Sequence, residues 1–220
     1  MRTLFIALLL FCVGTAYTSA QAGLPKSPPT DFTPCAIPAG GCTEPWGALQ
    51  ARTVILTCGG NTCPVTVWFK ARIACVGGAN FYDLSIGWVD AGTTGWTCGS
   101  CMNATQVIQA VTQQLLQLNP PLWGAGTGPN PDECRTTYRA QAGGCWIQGI
   151  YPFYDGAPHI PESYWWVPCG GEVCCVRPWQ VCNRFGAYIA TPTGPGAASG
   201  TPECPAPPQP NGTCYSVCSG

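Results

Sequence analysis

Residues 53–90 read TVILTCGGNTCPVTVWFKARIACVGGANFYDLSIGWVD, and this stretch decides the fold class. Two glycine-rich turns, at Gly59–Gly60 and Gly77–Gly78, divide it into three segments. Between Cys63 and Cys75 apolar and polar residues alternate, which is typical of a β-strand with one buried face. We therefore predict three antiparallel strands joined by two hairpins, with an inward-facing row of Val65, Val67, Phe69, Ala71 and Ile73.

The first 22 residues have the pattern of an export signal. Arg2 supplies the positive charge, residues 4–13 the apolar run and Ala20–Ala22 a small-x-small cleavage site. The apolar run is too short to cross a bilayer as a mature helix, although an uncleaved anchor is the alternative. We expect a secreted protein, extracellular or at the cell surface, with no membrane span after processing.

Removal of residues 1–22 leaves 16 of the 17 cysteines. An even count in an exported chain predicts full pairing in an oxidising compartment. The spacing does not fix the connectivity, although Cys35 with Cys42, and Cys58 with Cys63, are close enough to close small loops. The disulfide candidates are Cys35, Cys42, Cys58, Cys63, Cys75, Cys98, Cys101, Cys134, Cys145, Cys169, Cys174, Cys175, Cys182, Cys204, Cys214 and Cys218.

Charged residues make up 9% of the chain, against about 25% in ordinary soluble proteins, and the formal net charge is −1. This composition predicts neither a nucleic-acid partner nor a polybasic membrane patch. A weakly charged surface promotes association. We expect self-association or incorporation in an extracellular matrix or surface; the alternatives are a covering of glycans and a surface that is simply neutral and polar.

Composition divides the mature chain into three parts. Residues 23–45 form a proline-rich arm, expected to lie on its own sheet, on a neighbour's, or to serve as a linker. Residues 46–190 form a disulfide-stapled β-rich domain. Residues 191–220 form a tail rich in proline, glycine and threonine, of which residues 191–213 are expected to be extended and solvated. Its three cysteines are an odd number, so full pairing within the chain requires at least one bridge to the body.

One helix is predicted after residue 103. Asn103 and Gln106 have the spacing of a capping box, and Asn119 precedes two prolines that end the helix. The apolar stripe consists of Val107, Ile108, Val111, Leu115 and Leu118. We expect this helix to lie across the sheet.

Further strands are expected at 135–141 and 145–150. A second hairpin, with arms at 164–168 and 173–181, is predicted around the Cys-Gly-Gly-x-x-Cys sequence that begins at Cys169. Pro178 would place its second arm at a sheet edge. Cys174 and Cys175 should reach different partners, since neighbouring side chains on a strand face opposite ways. The fold class is thus mainly β: a disulfide-rich antiparallel β-sandwich or twisted sheet with one packed α-helix and proline-rich ends.

The sequence predicts no catalytic set, no cofactor and no metal site. Cys98 and Cys101 before a helix resemble a thiol-redox motif, but the residues upstream predict hairpins rather than a βαβ unit. The single histidine, His159, lies in a proline-rich loop, and structural zinc requires four ligands. Asp83 and Asp90 are an odd number of residues apart, so an acidic pair on one strand face is not expected.

Three tryptophans, Trp68, Trp165 and Trp166, are candidates for a sugar platform, and one of the adjacent pair is expected to be exposed. The alternative is that these tryptophans fill a second sheet or a subunit contact. Asn103 and Asn211 lie in N-x-T glycosylation sequences, although a glycan on Asn103 would compete with its helix cap. The leading functional hypothesis is a secreted, non-enzymatic structural or adhesive surface protein, in particular a self-assembling filament subunit. The alternatives are a carbohydrate-binding module and a thiol-redox protein.

Overall fold

The computed structural model describes residues 32–35, 40–92, 99, 101–118, 128–151, 163–169, 173–199, 204 and 214–218. This part of the chain forms ten strands and one α-helix. The strands are β1 (Gln50–Cys58), β2 (Asn61–Val76), β3 (Ala79–Asp90), β4 (Cys134–Gly143), β5 (Cys145–Tyr151), β6 (Ser163–Pro168), β7 (Cys174–Arg184), β8 (Ala187–Pro192), β9 (Ala197–Ala198) and β10 (Cys214–Ser216). The helix, α1, is Ala104–Leu118.

The two predicted hairpins are present. β1 pairs antiparallel with β2, and β2 with β3. The glycines of both turns have positive φ, from 58° at Gly59 to 84° at Gly78, which is the conformation that a two-residue hairpin turn requires. Glycine adopts it without steric cost, so the turn sequences fix the register of all three strands.

The sheet branches at β3. Residues 82–86 of β3 pair with β4 in parallel, whereas Val89 and Asp90 pair antiparallel with β6. One branch continues through β4 to β7 and β8, and the other through β6 to β5 and β10. The mainly β class is thus confirmed as a single curled, half-barrel sheet rather than a sandwich, and one of its strand pairs is parallel.

A bulge in β3 changes the direction of its last residues. Trp68 pairs with Trp88 but Phe69 pairs with Ile86, so Gly87 is the extra residue. Val89 therefore faces the core, and Trp88 turns to the outer face, although simple alternation predicts the reverse. The bulge also brings Asp90 to the same face as Asp83, which corrects the odd-spacing expectation. The two carboxylates nevertheless lie seven residues, about 23 Å, apart along the strand.

The helix spans the opening of the half-barrel, between strands β1 and β8. Gln113 Nε2 donates to the Ala190 carbonyl of β8 at 3.1 Å. On the other side Ile55 N donates to Gln114 Oε1 at 2.8 Å, and Gln114 Nε2 donates back to the Ile55 carbonyl. The Gln114 side chain thus pairs with β1 as a neighbouring strand would. These bonds satisfy part of the otherwise unpaired edge of β1.

The predicted capping box is confirmed. Gln106 N donates to Asn103 Oδ1 and Asn103 N donates to Gln106 Oε1, both at 2.9 Å. Val107, Val111 and Leu115 are buried as predicted, but Leu118 is 54% exposed, and Leu116 is buried in its place. The difference arises because α1 is held between two strands and buries more than one narrow stripe.

The core fills the concave side of the sheet beneath α1. The alternating apolar residues of β2 from Val65 to Ala71 are buried in it, as predicted, together with Leu84, Ile86 and Trp179. Burial, and then the neighbouring Tyr82, raises the pKa of Tyr138, so this hydroxyl stays neutral. A second, smaller cluster of Ile147, Trp165 and Val167 lies outside this core.

The N-terminal arm lies along its own sheet. Backbone N–H groups of Gly40, Glu44 and Gly47 donate to carbonyls of β2 at Cys75, Ile73 and Ala71. Further back, the Phe32 ring packs against Gly87, where an added Cβ would come within 2.6 Å of the ring. The arm covers the part of the β2 edge that β1 leaves unpaired. It therefore pairs with the sheet of its own chain rather than with the sheet of a neighbour.

The predicted second hairpin is wrong. β6 pairs with β5 and β3, and β7 pairs with β4 and β8. The glycine-rich sequence after Cys169 suggested a tight turn, but the two segments belong to different branches of the sheet. Pro178 is accordingly not on an edge strand. It lies where the partner of β7 changes from β9 to β8, and a proline is tolerated there because no ladder bond is interrupted.

Residues 191–213 were expected to be solvated, but residues 191–192 end β8 and residues 197–198 pair with β7 as β9. Beyond this range, residues 214–216 pair with β5 as β10. The described remainder from Thr191 to Ser199 is mostly exposed.

Candidate functional site

The disulfides form a network that differs from the predicted short loops. Cys35 is bonded to Cys174 and Cys42 to Cys75, so no Cys35–Cys42 loop exists. Cys58 is bonded to Cys101 rather than to Cys63, because hairpin pairing places Leu56 opposite Cys63. The other described bridges are Cys134–Cys182, Cys145–Cys204, Cys169–Cys214 and Cys175–Cys218. Cys63 is also disulfide-bonded.

Two predictions about the bridges are confirmed. The neighbouring Cys174 and Cys175 reach Cys35 and Cys218, at opposite ends of the chain. All three tail cysteines are bonded to the body. This network indicates an oxidising environment.

Cys98 and Cys101, the pair considered for thiol-redox chemistry, are not bonded to each other. Cys98 lies outside the described residues, and Cys101 is bonded to Cys58 at the end of β1. The bridge attaches the start of α1 to the sheet. His159 and Asn211 also lie outside the described part of the chain.

Three sulfur atoms, of Cys145, Cys204 and Cys214, lie within 4.8 Å of one another. Metal binding requires thiolates. All three cysteines are in disulfides, which leaves this cluster without a thiolate in the oxidised protein.

The adjacent tryptophans are both buried, with 3% of Trp165 and 0% of Trp166 exposed. The expectation that one of them is exposed is wrong, because the outer face of β6 is itself covered by a second cluster of side chains. Trp68 is half-buried and stacks on Trp165, with ring centroids 5.6 Å apart. These three side chains pack within the protein rather than forming an open platform for sugar rings.

A charged cluster lies on the outer face of the sheet. Asp83, which is 1% exposed, accepts from Arg139 Nε at 2.7 Å and from Arg72 Nε at 3.1 Å. Arg72 also lies over the ring of Trp46, which directly follows the arm, at 4.3 Å, and Arg139 lies over Phe81, at 4.9 Å. The carboxylate has two cationic partners and is enclosed, so we assign this cluster to holding the arm on the sheet.

Asn103 uses its side-chain oxygen in the helix cap. A glycan attached to this residue would compete with that bond.

The most exposed large apolar side chain in the described residues is Phe185, at 93%. It occupies the first central position of the β7–β8 turn with a φ of 54°, and Gly186 follows with a φ of 88°. The two other tight turns, with almost the same angles, use two glycines. A bulky residue in this left-handed region is strained. The sequence pattern does not predict this turn, since only one of its central residues is glycine.

The base of this turn is held rigidly. Asn183 is buried, and its side chain accepts from Gly186 N at 3.0 Å and donates to the Pro129 carbonyl at 3.1 Å. The Cys134–Cys182 bridge joins β4 to β7 next to it. The aromatic ring is therefore presented on a fixed support.

A salt bridge next to this support involves Glu133. Its carboxylate accepts from Arg135 Nε at 2.8 Å and from Asn130 N at 2.7 Å. These two bonds, that to Arg135 first, lower the pKa of Glu133 from 4.5 to about 2.

An apolar depression lies between α1 and the sheet. Its inner side consists of Ile108, Ala140, Trp179 and Val217, and its rim carries Gly196 and Arg177. Arg177 Nη1 donates to Gln109 Oε1 at 3.1 Å across part of the rim. The space inside the depression is about 40 Å³. Such a space can admit part of an apolar side chain, such as the edge of an aromatic ring.

Comparison of the chain with protein-family models, curated proteins and solved structures found no match. In the described ranges, α1 included, no helix is both long and apolar enough to cross a membrane.

Proposed function

We propose that this chain is an exported, non-enzymatic structural or adhesive protein of an extracellular surface. In this proposal copies of the chain associate with one another, as subunits of a filament or similar assembly. Its task is to persist outside the cell rather than to catalyse a reaction.

The observation that carries the proposal is the overlap of the bridges. Cys35–Cys174 covers most of the chain, and three bridges overlap both it and one another: Cys134–Cys182, Cys145–Cys204 and Cys169–Cys214. Cys175–Cys218 overlaps these three towards the C-terminus. Every peptide bond between Cys35 and Cys218 is therefore spanned by at least one disulfide. Cleavage at any one of them leaves a single covalent molecule, which suits a protein exposed to proteases.

The composition and surface support association. The net charge of −1 and the low content of charged residues leave little electrostatic repulsion between copies. The exposed ring of Phe185, on its rigid turn, offers an apolar contact to another copy.

The proposal is tested by purifying the mature chain with its bridges intact and following its size with concentration. Sedimentation velocity and electron microscopy should reveal multimers that grow with concentration. A strict monomer across the whole range would contradict the proposal, as would a catalytic activity assigned to the native material.

A further inference from the structure

We propose that the Phe185 ring of one copy packs with its edge in the apolar depression of the next copy, so that copies associate head to tail. The depression is the one bounded by Ile108, Ala140, Trp179 and Val217. This contact specifies the association surface of the proposed function and rests on it.

The first argument is the conformation of Phe185. A left-handed backbone costs a bulky residue free energy that glycine or asparagine would avoid. Nothing in the described part of the chain repays this cost, since the side chain is 93% exposed. Strain of this kind is typical of sites whose side chain has a task outside the fold.

The second argument is distance. Trp179, the lining residue of β7 nearest to Phe185, is six residues from it, which is about 20 Å on an extended strand. The side chain of a phenylalanine cannot reach the depression of its own chain. The ring and the depression are thus available to different copies.

The third argument is chemical fit. The inner side of the depression offers aliphatic and aromatic carbon to an incoming ring. The turn that carries Phe185 is braced by Asn183 and the Cys134–Cys182 bridge, so little freedom is lost when it docks.

These positions also determine the form of the assembly. The two surfaces differ and lie towards opposite ends of β7, so the contact is heterologous. A heterologous contact that does not close into a ring produces an open chain of subunits. The proposed filament follows from one repeated contact.

The experiment uses two substitutions in the full mature chain. Phe185→Asn removes the ring and suits the left-handed backbone. Gly196→Phe fills the mouth of the depression, and an added Cβ there meets Arg177 and Cys218 only at ordinary distances of 3.6 Å. Each variant alone should associate about 30-fold more weakly than the wild type in sedimentation velocity.

Matched controls distinguish this contact from general surface effects. Tyr215→Asn removes another exposed aromatic residue, and Gly194→Phe adds the same side chain two residues from Gly196, where a Cβ meets only Pro178 at 3.9 Å. Both controls should associate like the wild type. If Phe185→Asn is poorly folded, Phe185→Gly replaces it.

Mixing the two variants gives the sharpest result. Phe185→Asn keeps the depression and Gly196→Phe keeps the ring, so an equimolar mixture should form a 1:1 heterodimer that grows no further. A mixture that stays monomeric overturns the contact. If the wild type assembles and both variants assemble equally well, the contact is wrong but the proposed function stands. A wild type that never assembles overturns both.

Discussion

Among single residues, substitution of Phe185 should have opposite effects on the stability of the fold and on the association of copies. Replacing it with asparagine relieves a strained backbone without loss of buried surface, since the ring is exposed. We expect Phe185→Asn to raise the free energy of unfolding by about 1 kcal/mol. Denaturant titration of the isolated monomer measures this. A destabilised variant would mean that the ring has a partner within the fold.

A second residue, Asp83, holds two arginines on the outer face of the sheet. Its carboxylate is enclosed, so Asp83→Asn leaves Arg72 and Arg139 with uncompensated charge. We expect a loss of about 3 kcal/mol in the free energy of unfolding, measured with the disulfides intact. Asp90→Asn is the control, because its Oδ1 accepts from Gly92 N and an amide oxygen retains that bond.

A charge-free version tests the cause of this loss. Asp83→Leu combined with Arg72→Met and Arg139→Met should recover most of the stability, since a buried ion pair adds little over apolar packing. If the triple variant is as unstable as Asp83→Asn, packing rather than charge explains the effect.

Among the elements, helix α1 depends on its glutamines to close the half-barrel. Gln114→Ala removes both bonds to the Ile55 backbone. We expect a loss of about 1 to 2 kcal/mol and faster hydrogen exchange of the Ile55 amide. Gln117→Ala, in the next turn of α1, is the control and should leave that amide unchanged. Unaltered protection in Gln114→Ala would contradict the role of this side chain.

The connection between β4 and the β7–β8 hairpin should depend on pH through Glu133. Its pKa falls from 4.5 to about 2 on folding, so the ionised group stabilises the fold above pH 4.5. This contribution should disappear as the pH falls from 4.5 towards 2. The melting temperature of the wild type should exceed that of Glu133→Gln at pH 6, and the two should converge near pH 2. A constant difference across this range would exclude the ionisation of Glu133 as its cause.

The local sequence pattern was sufficient to predict some elements of the fold but not others. The Gly59–Gly60 and Gly77–Gly78 turns and the Asn103 cap are determined by neighbouring residues, and all were predictable. The partner of β6 was not, because the pairing of Val89 with Trp166 joins segments far apart in sequence. The bulge at Gly87 was also not predictable, since it depends on the register between two strands rather than on the sequence of one strand.

For the molecule as a whole, the cysteine count predicted full pairing but not its connectivity. Short loops such as Cys58–Cys63 looked favourable in sequence, yet bridging follows the folded register. The Cys35–Cys174 bridge closes a separation of 139 residues, which in the chain-entropy model stabilises an otherwise unlinked chain by about 5 kcal/mol. The candidate surface at Phe185 was likewise unpredictable, because exposure and backbone strain are properties of the folded turn.

The overlapping bridges predict the behaviour of a chain that has been cut. We consider a mature protein with a specific protease sequence inserted after Gln209. Its C-terminal fragment remains attached through Cys169–Cys214 and Cys175–Cys218. After cleavage, non-reducing electrophoresis should give one band and reducing electrophoresis two, and association should be unchanged.

The control for this experiment replaces all four of these cysteines with serine, so that cleavage releases the fragment without a reductant. Release from the intact framework would show that the tail cysteines pair otherwise than described. It would also remove the physical basis for durability, since a single cut would then separate the chain. Retention together with undiminished association would mean that resistance to proteolysis resides in the covalent network rather than in an unbroken backbone.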